Sequence, residues 1–141
     1  MKANTLNDFY FFCDGEHREL YSILLNDWQE MGLAWRCDSG VLSLGINSVV
    51  KDMMFVCFSL HTGGAEPSSI QVDMSQWRKQ LGQEYTASFI AEIRRLQGLS
   101  CQQREHTFMI ENPAHVLAPV QKQLRNMIHQ FGVLLPNKIA A

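Results

Sequence analysis

Cysteine and histidine residues recur in three near-regular pairs along the chain, and these side chains are the first that could carry chemistry. The pairs are Cys13 with His17, Cys57 with His61, and Cys101 with His106. A zinc ion needs four ligands converging at about 2.0–2.3 Å. Only the first pair would share a helical face, and Gly15 interrupts the helix there, whereas Cys57 and His61 lie on a predicted strand that runs into a loop. Because unpaired cysteines mostly behave as small buried hydrophobes, we expect no metal site and no cofactor.

Cys101 and His106 could also form a nucleophile and its base, with Arg104 lowering the pKa of the thiol. Thiol catalysis further needs an oriented base and an oxyanion site, and no pattern in the sequence supplies them. The chain has no Gly-x-Ser-x-Gly, no phosphate-binding Gly-Lys loop and no His-Glu-x-x-His. A small Cys/His enzyme or metal protein is therefore the third-ranked hypothesis.

Five basic side chains in the second half of the chain could form a positive patch for nucleic acid. Two of them, Arg94 and Arg95, are adjacent on a predicted helix and point about 100° apart. Trp77 and His106 are close enough in sequence to stack on bases. The isoelectric point is about 6.2, whereas a dedicated nucleic-acid-binding domain is expected above about 9. Weak nucleic-acid binding is therefore the second-ranked hypothesis, with these candidate residues: Arg78, Lys79, Arg94, Arg95 and Arg104.

The composition favours a protein that associates with another chain. Hydrophobic residues make up 46% of the 141 positions and charged residues only 18%, below the roughly 25% of a typical soluble domain. A domain with few charges exposes more apolar surface, and large exposed apolar patches usually mark an interface. Net charge is −2, with four basic and nine acidic residues among the first 70. We expect a homodimer.

No segment resembles a membrane span or a secretory signal. The apolar run from Phe9 to Cys13 is too short for the hydrophobic region of a signal and is followed by Asp14 and Glu16. No apolar run approaches the roughly 18 residues that a bilayer requires, and no Cys-x-x-Cys pair occurs. A reduced, cytoplasmic protein without a membrane partner is the expectation.

Short runs of branched and aromatic residues, separated by Gly, Asp, Asn, Ser and Pro, predict an antiparallel sheet. We expect a single α+β domain over residues 1–141, with four to five strands and helices packed mainly on one face, in the order α-β-β-β-β-α-β-α. The run Met53–Phe58 is apolar at every position, which predicts a central strand covered on both sides. The predicted strands are Leu33–Cys37, Val41–Ile46, Met53–Leu60, Ile70–Met74 and Arg104–Ile110.

The helices are predicted from their caps and apolar stripes. Leu6–Cys13 is compatible with a helix or an edge strand, whereas Asp14 can cap the next helix and Gly32 can end it. A further helix is predicted over 83–97. The last begins at Asn112-Pro113, with a kink or a later start at Pro119, and stops at Gly132, leaving an apolar tail. The predicted core residues are Trp28, Trp35, Leu44, Phe58, Phe89, Ile93 and Leu124.

The order of elements resembles that of small double-wing domains thought to bind DNA, and its first half resembles acidic dimeric secretion chaperones. Both resemblances rest on the order of helices and strands alone, so neither transfers functional residues. The hypothesis ranked first is a non-catalytic binding or adaptor protein that acts as a homodimer. It would use its sheet or its apolar tail as the contact surface.

Overall fold

The computed structural model describes residues 5–47, 53–63 and 66–139 and contains one antiparallel sheet of six strands. The strand order is β1-β2-β3-β4-β6-β5, so that β3 and β4 lie at the centre. Within these ranges, no helix is long and apolar enough to cross a membrane. The strands are β1 (Ala34–Asp38), β2 (Val41–Asn47), β3 (Met54–His61), β4 (Ser69–Asp73), β5 (Ser100–Arg104) and β6 (Thr107–Glu111).

The predicted α+β class and antiparallel sheet are confirmed, but the sheet has more strands than the four to five expected. Where one strand was predicted over Arg104–Ile110, the chain forms the hairpin β5–β6, which turns at Glu105 with φ +51°. The strand β5 was missed because it is an exposed edge strand of mainly polar residues, without the alternation that marks a half-buried strand.

Helices occupy both ends of the chain and the connection between β4 and β5. The segment that was compatible with helix or strand is helical, and the hydroxyl of Thr5 caps it by accepting from the amide of Asp8 at 3.1 Å. The predicted cap at Asp14 is confirmed, as is the left-handed Gly32 that follows the next helix, at φ +76°. The helices are α1 (Leu6–Phe11), α2 (Gly15–Glu30), α3 (Met74–Leu81), α4 (Gln83–Arg94) and α5 (Ala118–Ile139).

Of the alternatives for the start of the last helix, the later start near Pro119 is confirmed, whereas the predicted end at Gly132 was wrong. The helix α5 starts at Ala118, which places Pro119 in the first turn, where its missing N–H costs no hydrogen bond. It also continues past Gly132. A Cβ at Gly132 would lie 2.7 Å from the end of the Met31 side chain and 3.1 Å from the Trp28 ring, so the glycine allows α2 to approach α5 closely. The apolar tail is therefore the continuation of α5.

The core lies between the sheet and the helices, and aromatic rings fill its centre. Trp77 stacks on Phe131 with ring centroids 4.5 Å apart, and Phe58 and Phe89 pack around that pair. The indole N–H of Trp77 donates to the carbonyl of Cys57 at 2.9 Å, which ties α3 to β3. All the predicted core residues are buried except Trp35, which is half-buried because its strand lies at the edge of the sheet.

The helices cover one face of the sheet, and we call the other the open face. Residues paired across neighbouring strands share a face, and the row Ser43, Ser59, Gln71 and Met109 belongs to the open one. The predicted central position of β3 is confirmed, and the helices cover one of its faces, whereas cover on the other face stays a prediction. Met54 and Val56 are half-buried on the open face, but the strand turns polar there at Ser59.

Candidate functional site

Asp14, His17 and His115 form the densest cluster of chemically capable side chains in the described part of the chain. Each offers one potential ligand atom, and these atoms lie within 4.8 Å of one another. Asp14 and His17 come from the start of α2, whereas His115 belongs to the irregular segment before α5. The cluster therefore joins two parts of the chain that are about a hundred positions apart in the sequence.

Asp14 uses its two carboxylate oxygens for different purposes. Its Oδ1 accepts from the backbone amide of His17 at 2.9 Å, which is the N-cap of α2. Its Oδ2 lies 2.9 Å from Nδ1 of the His17 ring. Burial by itself raises the pKa of Asp14, but the two hydrogen bonds from His17, together with the nearby imidazole of His115, outweigh burial and lower that pKa.

The His17 ring is fully buried and both of its nitrogens are occupied. Its Nε2 accepts a hydrogen bond from the backbone N–H of Ala114 at 3.2 Å, so Nε2 carries no proton. The proton of the neutral ring is therefore on Nδ1, which donates to Asp14. A ring held in this way has no free nitrogen for a metal or for proton transfer. The two hydrogen bonds of this ring connect the start of α2 to the segment that precedes α5.

His115 is the accessible member of the cluster. Its Nε2 lies 3.6 Å from a carboxylate oxygen of Asp14 and 3.7 Å from one of Glu16, beyond hydrogen-bond length but close enough for attraction when the ring is protonated. Its ring packs edge-on against that of His17, with centroids 4.7 Å apart. A metal ion here would have to displace a hydrogen bond of His17 and sit at the positive end of α2. The absence of a metal in the purified protein stays a prediction.

The fold separates Cys101 from His106. Cys101 lies three residues before the end of β5, about 10 Å from the turn that contains His106, and faces the helices, whereas Arg104 belongs to the open face. Burial raises the pKa of the Cys101 thiol and outweighs the lowering effect of Arg94. Burial also raises the pKa of Cys13 to about 11. Such thiols are protonated at neutral pH.

The five candidate nucleic-acid-binding residues are distributed over several surfaces. Arg78 and Lys79 are exposed in the last turn of α3. Arg94 lies on the helix side of the sheet, 5.6 Å from the centre of the Phe108 ring, and donates to Gln103 at 3.4 Å. Arg95 forms an exposed ion pair of 3.0 Å with Glu92.

Arg104 is on the opposite face of the sheet from Arg94. It lines an open pocket, and two of the pocket's other residues are the acids Glu66 and Glu105. The fold therefore does not bring Arg104 together with Arg94, and an anion entering the pocket would meet two carboxylates beside one guanidinium.

Exposed apolar side chains form two groups. Phe11 and Phe12 precede Asp14 in the chain and Leu117 follows His115, and we call these three side chains the junction surface. The second group is a stripe along α5 made by Val120, Met127 and Leu134, which follow one another at seven-residue intervals and so lie nearly in line. We call it the α5 stripe.

The sequence indicated Asp14 as a helix cap, but it indicated neither the approach of His115 to Asp14 nor the hydrogen bond from Ala114 to His17. The spacing Asp14 to His17 carries a local signal, since an N-cap and the third helical residue approach each other in a capping box. Nothing local links His17 to Ala114, 97 positions later. Comparison with known proteins identifies no relative: no protein-family model matches the chain, and no curated protein or solved structure matches it either.

Proposed function

We propose that this protein is a non-catalytic binding or adaptor module that acts as a homodimer through α5. The observation that carries the proposal is that α5 is apolar on more than the side it buries. Its inner side supplies buried core residues such as Leu124, Ile128 and Leu135, whereas Leu134 is 49% exposed. A helix that packs on only one side needs a single apolar stripe, and this helix has a second one beside it.

The α5 stripe fits a helix-to-helix contact between two copies. Val120 and Met127 are half-buried at the flank of the inner side, and Leu134 continues their line towards solvent. A seven-residue apolar repeat is the pattern by which two helices pair along a seam. In a twofold dimer each α5 would meet its copy and bury all three side chains. Flanking residues would have to complete an interface of the standard size, roughly 1,600 Å² in total.

Two features support a binding role over the alternatives. The thiols that a Cys/His enzyme would use have pKa values raised by burial, and Cys101 is remote from His106. The candidate basic residues for nucleic acid are divided between the two faces of the sheet. DNA binding that weakens steeply with salt would favour the nucleic-acid hypothesis instead.

Light scattering coupled to size exclusion tests the dimer. The wild type should show a dimeric mass at micromolar concentration, and Leu134→Asp should shift it to the monomer. His129→Asp is the matched control, because it adds the same charge to an exposed position about 140° around the helix. Leu135 is unsuitable because its side chain is fully buried in the core of its own subunit. A monomeric wild type across a wide concentration range would refute the proposal.

A further inference from the structure

We propose that the junction surface binds an amphipathic segment of a partner protein, one that carries apolar and basic side chains. The proposal rests on the proposed binding function and gives it a location and a partner chemistry. The α5 stripe would contact a second copy of the chain, whereas the junction surface would contact a different protein.

The apolar side chains of the junction surface are largely exposed to solvent. Phe11 and Leu117 are 76% and 77% exposed, and Phe12 is 43% exposed. The two phenylalanine rings pack edge to face with centroids 5.4 Å apart, so they form one apolar body. Adjacent large side chains left in water in this way mark an interaction site more often than single exposed residues do.

The two stretches that supply these side chains are fastened together. Phe12 precedes Asp14 by two residues, and Leu117 follows His115 by two. The bond from the Ala114 amide to His17 and the 3.6 Å approach of His115 to Asp14 hold the stretches side by side. Two residues span at most about 7 Å, so Phe12 and Leu117 each lie within about that distance, Cα to Cα, of a member of the histidine cluster.

Three carboxylates lie close to these apolar side chains in the sequence. Asp8 precedes Phe11 and Phe12 on α1 by three and four residues, which is the spacing of one helical face. Asp14 and Glu16 are 47% and 70% exposed at the start of α2. The nearby guanidinium of Arg18 donates to backbone carbonyl oxygens at 2.9 and 3.3 Å and offsets one of the three negative charges.

This charge pattern selects the occupant. Lysine or arginine side chains flanking an apolar stripe would pair with the carboxylates while the apolar residues cover Phe11 and Leu117. A second copy of the chain would bring the same acidic groups together across a twofold axis, which is repulsive. An anionic lipid surface would meet the same repulsion.

The junction surface and the α5 stripe approach each other at the start of α5 and separate along the helix. Leu117 precedes the first residue of α5, and Leu134 lies 16 residues after that first residue. At 1.5 Å per residue Leu134 lies about 24 Å along the helix from this start, whereas Val120, at the other end of the stripe, is only three residues from Leu117. A dimer that pairs through the Leu134 end of α5 would leave both junction surfaces accessible.

A fluorescent 18-residue peptide of leucine and lysine, patterned as an amphipathic helix, is the probe. Binding is followed by anisotropy at several salt concentrations, beside a peptide in which every lysine is glutamate. The leucine–lysine peptide should bind and weaken with salt, and the glutamate peptide should bind at least tenfold more weakly. Vesicles containing phosphatidylserine should not bind. Equal binding of both peptides, or binding of vesicles alone, would overturn the proposal.

Variants locate the binding to this surface. Phe11→Ser and Leu117→Ser should each weaken peptide binding about tenfold, and Glu16→Lys should weaken it and reduce the salt dependence. Val133→Ser is the control, because Val133 is 54% exposed near the far end of α5. These side chains are exposed, so circular dichroism should report unchanged folding. If Phe11→Ser changes the oligomeric mass instead of peptide affinity, the surface is a contact between copies and the proposal is wrong.

The oligomeric state and peptide binding are independent readouts. A monomeric wild type that binds the peptide at Phe11 would refute the dimer and leave the junction surface standing. A dimer that binds no peptide would refute the junction surface alone. Leu134→Asp should retain peptide affinity, since its site is remote from Phe11.

Discussion

The buried ring of His17 offers a direct test of what holds the two parts of the candidate site together. Replacement by asparagine places an amide nitrogen near the position of Nδ1, where it can still donate to Asp14. Replacement by glutamine places an amide oxygen near the position of Nε2, where it can still accept from Ala114. His17→Asn therefore keeps the bond to Asp14 and loses the bond from Ala114, and His17→Gln does the reverse.

The expected magnitudes follow from burial. Ala114 is only 5% exposed, so its N–H has no access to water when the acceptor is removed. Leaving a buried donor unpaired costs about 1–3 kcal/mol. In His17→Gln the lost bond is the one to Asp14, which is 47% exposed and can bond to water instead, so losing that bond costs less. His17→Asn should therefore destabilise the fold more than His17→Gln does, with a difference of at most about 3 kcal/mol.

Urea unfolding at one fixed protein concentration measures the difference. The concentration must be fixed because any association shifts the midpoint by mass action. The slope against urea should stay the same in both variants, which shows that only stability has changed. If His17→Gln is no more stable than His17→Asn, the Ala114 hydrogen bond does not explain why this histidine is buried.

Two further predictions concern the core and the response to acid. Truncating Phe89 or Leu124 to alanine should cost about 2–5 kcal/mol in the free energy of unfolding, because both side chains are buried, and a change below about 0.5 kcal/mol would show that they do not pack as described. Since the pKa of Asp14 is lowered in the folded protein, its contribution to stability is complete above the unfolded pKa of about 3.8 and is lost as the pH falls through the folded pKa. Wild type should thus lose more stability than Asp14→Asn in urea melts between about pH 5 and about pH 2, and parallel losses in the two proteins would contradict the role of this carboxylate.

Local signals in the sequence were sufficient for most elements. The cap at Asp14 and the left-handed Gly32 bound α2 correctly because both act within a few residues of the helix end. The apolar alternation of β2 likewise predicted which side chains enter the core. Fold class follows from elements of this kind, since their apolar faces have few ways to be buried together.

The errors came where a local pattern has more than one physical cause, or where the cause lies in a distant part of the chain. Gly132 has the same local appearance as a helix terminator, yet it is there because Met31 and Trp28 of another helix approach it. The edge strand β5 lacks an apolar pattern because it has little to bury. The link between His17 and Ala114 depends on a contact across the whole fold, which no window of sequence contains.

The position of α5 in the chain has a consequence for synthesis. Every strand precedes this helix, yet α5 supplies Leu124, Ile128 and Phe131 to the core they share. Until the ribosome has released the helix, the face of Trp77 that stacks on Phe131 has no partner, and the sheet remains uncovered there. The nascent chain therefore passes through a stage with exposed aromatic surface, during which it is most open to aggregation and to chaperones. The core is therefore complete only after α5 has packed against the sheet.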